Sequence, residues 1–270
     1  MRRITSRSNP IVTRFRDVAR GRGSGDLILL DGEHLVDEAL MSGVAIDTVA
    51  LSDARVDARA DGIVDRVTRA GATVVRVAAP VMAAMSPVRQ PSGIIALAHA
   101  RPASLDEALA SAPQLVLLLD GIQDAGNVGA IIRAADGCGA TGVITADGTA
   151  DPFGWKALRG AMGSTFRMPI AVGHTATSAV NELRRRGIRI VATVPRQGTL
   201  LPACQLSGPV AIALGREGAG LSDAFVTAAD ARLTIPMRAP VESFNVAITA
   251  ALILYEAAKQ RNGHVPLPSA

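Results

Sequence analysis

The run Leu115-Val-Leu-Leu-Leu119 is apolar at every position. A strand with one wet face alternates apolar and polar residues. A strand without alternation is buried on both faces, which is the signature of a parallel sheet covered by helices. This strand, read from Gln114 to Leu119, therefore demands crossover helices around it. The rest of the chain supplies them. Helix 127–138 follows, then strand Gly142–Thr145, a helix over 154–162, helix Thr175–Arg186 and strand Ile188–Thr193. Val210–Leu214 and Leu233–Ile235 are further strands, and a long helix capped by Ser243 runs to about Arg261. Strand and helix alternate throughout, so a mostly parallel α/β sheet is expected.

A second α/β pattern precedes it. A short amphipathic helix begins after Asn9-Pro10, carrying Ile11, Phe15, Val18 and Ala19 on one face. Leu27–Leu30, Ile46–Leu51, Thr73–Val77 and Ile94–Ala98 read as strands. Glu33–Met41 and 57–70 read as helices, closed by Gly43 and Gly71. The expected division is a smaller α/β domain over 1–100, a linker with one helical turn over 101–113, and a larger α/β domain over 114–270.

Bulk properties narrow the function. Residues 1–25 hold seven arginines against Asp17, a local +6 within a chain whose formal net charge is +4. Such an arm suits a polyanion, because guanidinium forks onto phosphate oxygens. A solvated charged face or a transit peptide would have similar composition, but no cleavage-like region separates the arm from the folded part. No apolar run is long enough to span a bilayer, so no membrane role is expected. Cys138 and Cys204 are too few for a disulfide framework. The histidines and cysteines have no metal-site spacing. A metal-free protein of the cytoplasm is expected.

Three segments stand out as candidates for chemistry. Asp120-Gly-Ile-Gln-Asp-Ala-Gly-Asn-Val-Gly-Ala-Ile-Ile-Arg133 fits neither phosphate-gripping glycine pattern. Val128, Ile131, Ile132 and Ala135 account for its helix as core-facing, while Asn127 and Arg133 lie off that stripe. Capping would explain Asn127, and an exposed charge would explain Arg133. Both nevertheless lie beyond the carboxyl end of a buried parallel strand, where open α/β sheets bind ligands. Leu214-Gly-Arg-Glu-Gly-Ala-Gly-Leu-Ser222 follows another buried strand, and its glycines let main-chain groups approach a ligand. Ile235-Pro-Met-Arg-Ala-Pro-Val-Glu-Ser-Phe-Asn245 sets Ser243 and Asn245 at a helix start.

In this order the three segments resemble the motifs of the SPOUT class of RNA methyltransferases, in particular the SpoU/TrmH family of ribose 2′-O-methyltransferases. The resemblance covers roughly 114–262. Asp31-Gly-Glu-His-Leu-Val-Asp-Glu-Ala-Leu40 and Ser86-Pro-Val-Arg-Gln-Pro-Ser-Gly93 are similar to the family's L30e-like RNA-recognition extension. The resemblance implies a carboxy-terminal trefoil knot and S-adenosylmethionine held within it. It assigns the cofactor to Thr193, Val194, Leu214, Gly215, Gly218, Ile235, Met237, Ser243 and Asn245. Arg133 would act on the ribose hydroxyl, with Asn127, Glu217, Ser243 and Asn245 orienting the groups around it.

RNA contacts would come from Arg2, Arg3, Arg7 and Arg14, and from Arg159 in Lys156-Ala-Leu-Arg-Gly-Ala-Met-Gly163, where Ala161 stands at the family's usual serine. Homodimers are the family's usual assembly. The amino-terminal extension favours ribosomal over transfer RNA. Two other functions compete. A class I methyltransferase would want a Gly-x-Gly loop, which Asp120–Gly129 lacks. A catalytically silent ribosome-assembly factor would have lost Arg133, Glu217 or Asn245, and all are present.

Overall fold

In a computed structural model of the chain, residues 1–23, 25–54 and 58–262 are described. Residue 57 of the expected helix and residues 263–270 of the expected second domain lie outside them. The chain divides into two compact units, Met1–Arg101 with Phe153–Arg167, and Pro102–Pro152 with Met168–Ala270.

The first unit contains β1 (Arg2–Ile4), α1 (Pro10–Ala19), β2 (Leu27–Asp31), α2 (Glu33–Met41), β3 (Ile46–Ser52), α3 (Ala58–Arg69), β4 (Thr73–Val77), α4 (Ala79–Met85) and β5 (Ile94–His99). Its sheet runs β1-β4-β3-β5-β2. The β1–β4 and β4–β3 pairs are parallel, while β5 runs antiparallel to β3 and β2. Asn9 caps α1, its side chain accepting from the Ile11 N–H at 3.0 Å, with Pro10 preset for the first turn. Val12 and Phe15 then face a core with Leu29, Val75 and Leu97.

The second unit contains α5 (Leu105–Ala108), β6 (Leu115–Leu119), α6 (Ala125–Gly137) and β7 (Gly142–Ala146). The chain next forms α7 (Trp155–Ala161), which belongs to the first unit, and then β8 (Ile170–His174), α8 (Ala176–Arg185), β9 (Arg189–Thr193) and β10 (Thr199–Leu200). It ends with β11 (Val210–Leu214), α9 (Asp223–Ala228), β12 (Ala231–Thr234) and α10 (Val246–Asn262). The sheet runs β10-β12-β9-β11-β6-β7-β8, and every pairing is parallel. Leu115–Leu119 sits fully buried inside this sheet, as its unbroken apolar run demands.

Several elements differ from the sequence-based expectation. The arginine-rich start is no free arm: Arg2–Ile4 pairs with Val75–Val77 as an edge strand. Phe153–Arg167, which the chain order puts inside the second domain, packs with the first unit. Trp155 joins the apolar cluster of Phe15 and Met85, and Arg167 pairs with Glu38. Helix α6 begins before Asn127, because Asp124 is the cap and accepts from the Asn127 N–H at 2.8 Å. Helix α10 begins after Asn245, which takes the capping place expected of Ser243. No helix among the described residues is long and apolar enough to cross a membrane.

Candidate active site

A parallel sheet sends every strand's carboxyl end to the same edge. Strands β12, β9, β11 and β6 are neighbours, so the loops after Thr234, Thr193, Leu214 and Leu119 emerge side by side. The first three of these loops, with the start of α10, wall a cavity of about 360 Å³. Thr193, Val194, Leu214, Gly215, Gly218, Ile235, Met237, Ser243 and Asn245 all line it. Pro195, Arg216 and Phe244 line it too; the last two lie inside the motif segments without an assigned role, and Pro195 lies outside them. Among the described residues no group of three or more histidines, cysteines or carboxylates could hold a metal ion.

The loop after β11 depends on glycine. Residues Arg216 and Gly220 exchange two backbone hydrogen bonds, at 3.2 and 2.9 Å. A Cβ on Gly215 would lie 2.3 Å from the Gly220 carbonyl carbon, so the turn cannot close around any side chain there. Gly218 takes φ of +84°, a region that favours glycine. The turn projects Glu217 toward the first turn of α6 and lays the Arg216 side chain across Gly121.

A hydrogen-bonded relay joins the three sequence segments. The Asn245 side-chain oxygen accepts from the N–H groups of Ala247 at 2.9 Å and Ile248 at 3.3 Å. That leaves its Nδ2 to donate to Asn127 Oδ1 at 3.0 Å. Asn127 must then turn its own Nδ2 outward, and it donates to Glu217 Oε1 at 3.0 Å. Glu217 Oε2 accepts from the Gln123 N–H at 3.3 Å. Capping of one helix thus sets the direction of every amide in the chain.

Electrostatics follow the same geometry. Partial burial alone would raise the Glu217 carboxyl; hydrogen bonds from Asn127 and from backbone N–H groups outweigh it and hold the group below the usual carboxylate range. Glu217 is therefore an ionised acceptor, which suits it to anchor Asn127. Asp120 shows the opposite balance. Burial pushes its carboxyl up, Arg216 opposes that, and Asp147 adds to it.

The five residues expected to act in catalysis are not equally joined. Asn127, Glu217 and Asn245 form the relay. Ser243 lines the cavity but makes no side-chain hydrogen bond among the described residues. Arg133 lies two turns into α6 on its exposed face and is outside the relay. Of the arginines expected to meet RNA, Arg2, Arg3, Arg7, Arg14 and Arg159 all belong to the first unit. Two of them meet carboxylates: Arg3 pairs with Asp53 at 2.8 Å, and Arg14 grips both oxygens of Asp47 at 2.7 and 2.9 Å. Arg7 donates to the Pro80 carbonyl at 3.2 Å.

Known proteins share this architecture. Residues 114–255 match the SpoU rRNA Methylase family, and residues 1–112 match the domain described as thiostrepton-resistance methylase, N terminus. The chain is 33% identical over 258 residues to the 23S rRNA (guanosine(2553)-2′-O)-methyltransferase RlmP of Bacillus subtilis, covering 94% of this chain and 98% of that protein. It is 31% identical over 242 residues to a Burkholderia 23S rRNA (guanosine-2′-O-)-methyltransferase, RlmB, covering 87% and 97%. An AdoMet-bound rRNA methyltransferase from Sinorhizobium meliloti matches with a TM-score of 0.85 at 28% identity, covering 96% of this chain and 97% of that one. Motif sequence, parallel topology and whole-length similarity agree, and the chain belongs to the SpoU rRNA methylase family.

Proposed function

We propose that this protein transfers a methyl group from S-adenosylmethionine to a ribose 2′-hydroxyl of ribosomal RNA, with guanosine, the nucleoside in the names of its relatives, as the target. The observation that carries the reading is the relay from Asn245 through Asn127 to Glu217, which ties all three motif segments to the wall of one cavity. The cavity fits the cofactor. Val194, Leu214, Ile235 and Met237 offer apolar walls to a purine, and the Ser243 hydroxyl and the backbone at Gly215–Gly218 offer polar groups. The three loops would thread as the family's trefoil knot.

S-adenosylmethionine, when bound, supplies a methyl group already activated on a sulfonium. A ribose hydroxyl is a poor nucleophile while protonated. A guanidinium carries N–H donors and no acceptor, so Arg133 serves as a donor and not as a base. It donates to the 2′-oxygen and stabilises the negative charge that grows there. The proton passes to a phosphate oxygen or to water. Asn127, locked by Glu217 and Asn245, orients the ribose beside Arg133. Ser243 and Asn245 hold the donor side of the reaction.

A homodimer accompanies this reading. Ile248, Leu252 and Tyr255 are 52%, 41% and 60% exposed and recur at i, i+4 and i+7 along α10. This apolar stripe suits cover by a second copy of the chain. As an enzyme of ribosomal RNA it would work in the cytoplasm. The test is incubation with methyl-labelled S-adenosylmethionine and either ribosomal or transfer RNA, followed by mass mapping of the modified nucleotide. Label in a ribosomal 2′-O-methylnucleoside is expected. Label confined to transfer RNA, or to a base, overturns the reading.

A further inference from the structure

A second cleft lies against the cofactor cavity and is separated from it by one wall. Pro195, Ile235 and Met237 line both. The second cleft encloses about 490 Å³, within the range of roughly 300–1,000 Å³ typical of small-molecule sites. One side is the loop after β9. It is held to β12, because Thr234 Oγ1 donates to the Val194 carbonyl at 3.1 Å and accepts from the Gly198 N–H at 2.9 Å. Gln197 in that loop takes φ of +62°, which a non-glycine residue rarely adopts, so the turn is set by these bonds. The other side is the loop from Pro236 to Glu242, which leads directly into Ser243 on the cofactor cavity.

Two opposite charges line this cleft, Arg196 and Glu242. Both are exposed, and neither has a side-chain partner among the described residues. A phosphate would meet Arg196 well but would be repelled by Glu242. A neutral heterocycle with donors on one edge and acceptors on another would satisfy both. Guanine is such a base: N1–H and N2–H₂ are adjacent donors for a carboxylate, and O6 with N7 are acceptors for a guanidinium. Adenine and cytosine put an unprotonated ring nitrogen where guanine has N1–H. Uracil offers a single ring N–H flanked by two oxygens that a carboxylate repels.

We propose that this cleft takes the base of the target guanosine, with Glu242 accepting from its N1–H and N2–H₂ and Arg196 donating to O6 and N7. The apolar walls at Pro195, Pro236 and Pro240 would hold the ring planes, as pockets for unstacked bases do. The base is then anchored beside the donor, which brings its own ribose to the methyl group. The proposal rests on the methyltransferase reading above, so its test separates the two.

The full-length wild-type chain first methylates ribosomal RNA with labelled S-adenosylmethionine, and the modified nucleotide is mapped. Synthetic hairpins of that sequence then carry guanosine or inosine at the target, inosine lacking only the N2 amino group. Wild type is expected to lose about 10- to 100-fold in kcat/KM on the inosine hairpin. Glu242→Gln should lose a similar factor on the guanosine hairpin and should then treat guanosine and inosine nearly alike. Arg196→Ala should lose about 10-fold on both. Donor affinity, measured by calorimetry, should match wild type in both variants, which also verifies folding. A wild-type chain that methylates no RNA sinks the reading of function. A target other than guanosine, or a Glu242→Gln variant with unchanged rate and unchanged guanosine preference, sinks only this proposal.

Discussion

The two sheets of this protein solve different problems. In the first unit β5 runs against β2 and β3, so strand ends of both polarities share each edge, and loops do not converge by direction. In the second unit all seven strands run one way. Their carboxyl ends gather at one edge, and that edge holds the cavity, the relay and the neighbouring cleft. Individual arginines differ in their pairing as well. Arg3 and Arg14 of the first unit meet carboxylates within 3 Å, whereas Arg133 and Arg196 of the second have none among the described residues. The contrast teaches where chemistry and where surface recognition can be built. A converging edge can hold groups in fixed register, while a mixed sheet offers a face.

The largest effect that could break this contrast is at Arg133. Arg133→Ala should keep donor affinity and lose about 10²–10³ in single-turnover rate, the scale of deleting one charge-stabilising donor. Unchanged turnover would remove the catalytic assignment. Next is Leu252→Arg, which puts a charge into the exposed stripe of α10. If a second copy covers that stripe, dimer dissociation measured by sedimentation should strengthen about 100-fold. An unaltered equilibrium would mean the stripe faces something else.

Smaller effects sharpen the picture. Asn245→Ala removes a helix cap and the head of the relay together. A stability loss of about 1 kcal/mol in denaturant unfolding is expected from the cap alone, with a further drop in turnover. The Glu217 carboxyl is held below its ordinary range, so its contribution to stability is complete above the unfolded value of about 4.3 and fades as pH falls through the lowered folded value. Glu217→Gln should therefore show a flatter acid limb than wild type in thermal melts below about pH 4.3. An identical limb would mean that the relay does not hold an ionised carboxylate. The smallest effect belongs to the first unit. Arg2→Ala should lower the salt slope of RNA binding by somewhat under one unit, while Arg14→Ala, whose charge Asp47 already balances, should change it less. Equal slopes for the two variants would remove the distinction between free and paired arginines.

Much of the second unit was legible because its signals are local. Leu115–Leu119 shows its burial in its own composition, and the glycines of 215–220 announce a tight turn. The three motif segments could be picked out for the same reason. Other features depended on distant partners. Arg2–Ile4 has no strand pattern of its own and becomes one only beside Val75–Val77. Strand β8 carries a glycine within five residues, and α4 is a single short helix, so neither has a periodic signal. Ser243 and Asn245 are equally good caps by residue type. The choice fell on Asn245 because only its amide can cap α10 and reach Asn127 at once.

The sequence by itself determined the alternation of elements, the buried parallel strands and the identity of the groups gathered at the site. Periodicity and residue chemistry act over a few positions and survive translation into a string. Only the tertiary structure decided that Phe153–Arg167 returns to the first unit, that Arg3 and Arg14 are neutralised, and that Asn127 points its amide at Glu217. Each of those outcomes turns on a partner dozens of residues away, and hydrogen-bond direction is settled only when every neighbouring donor and acceptor is in place.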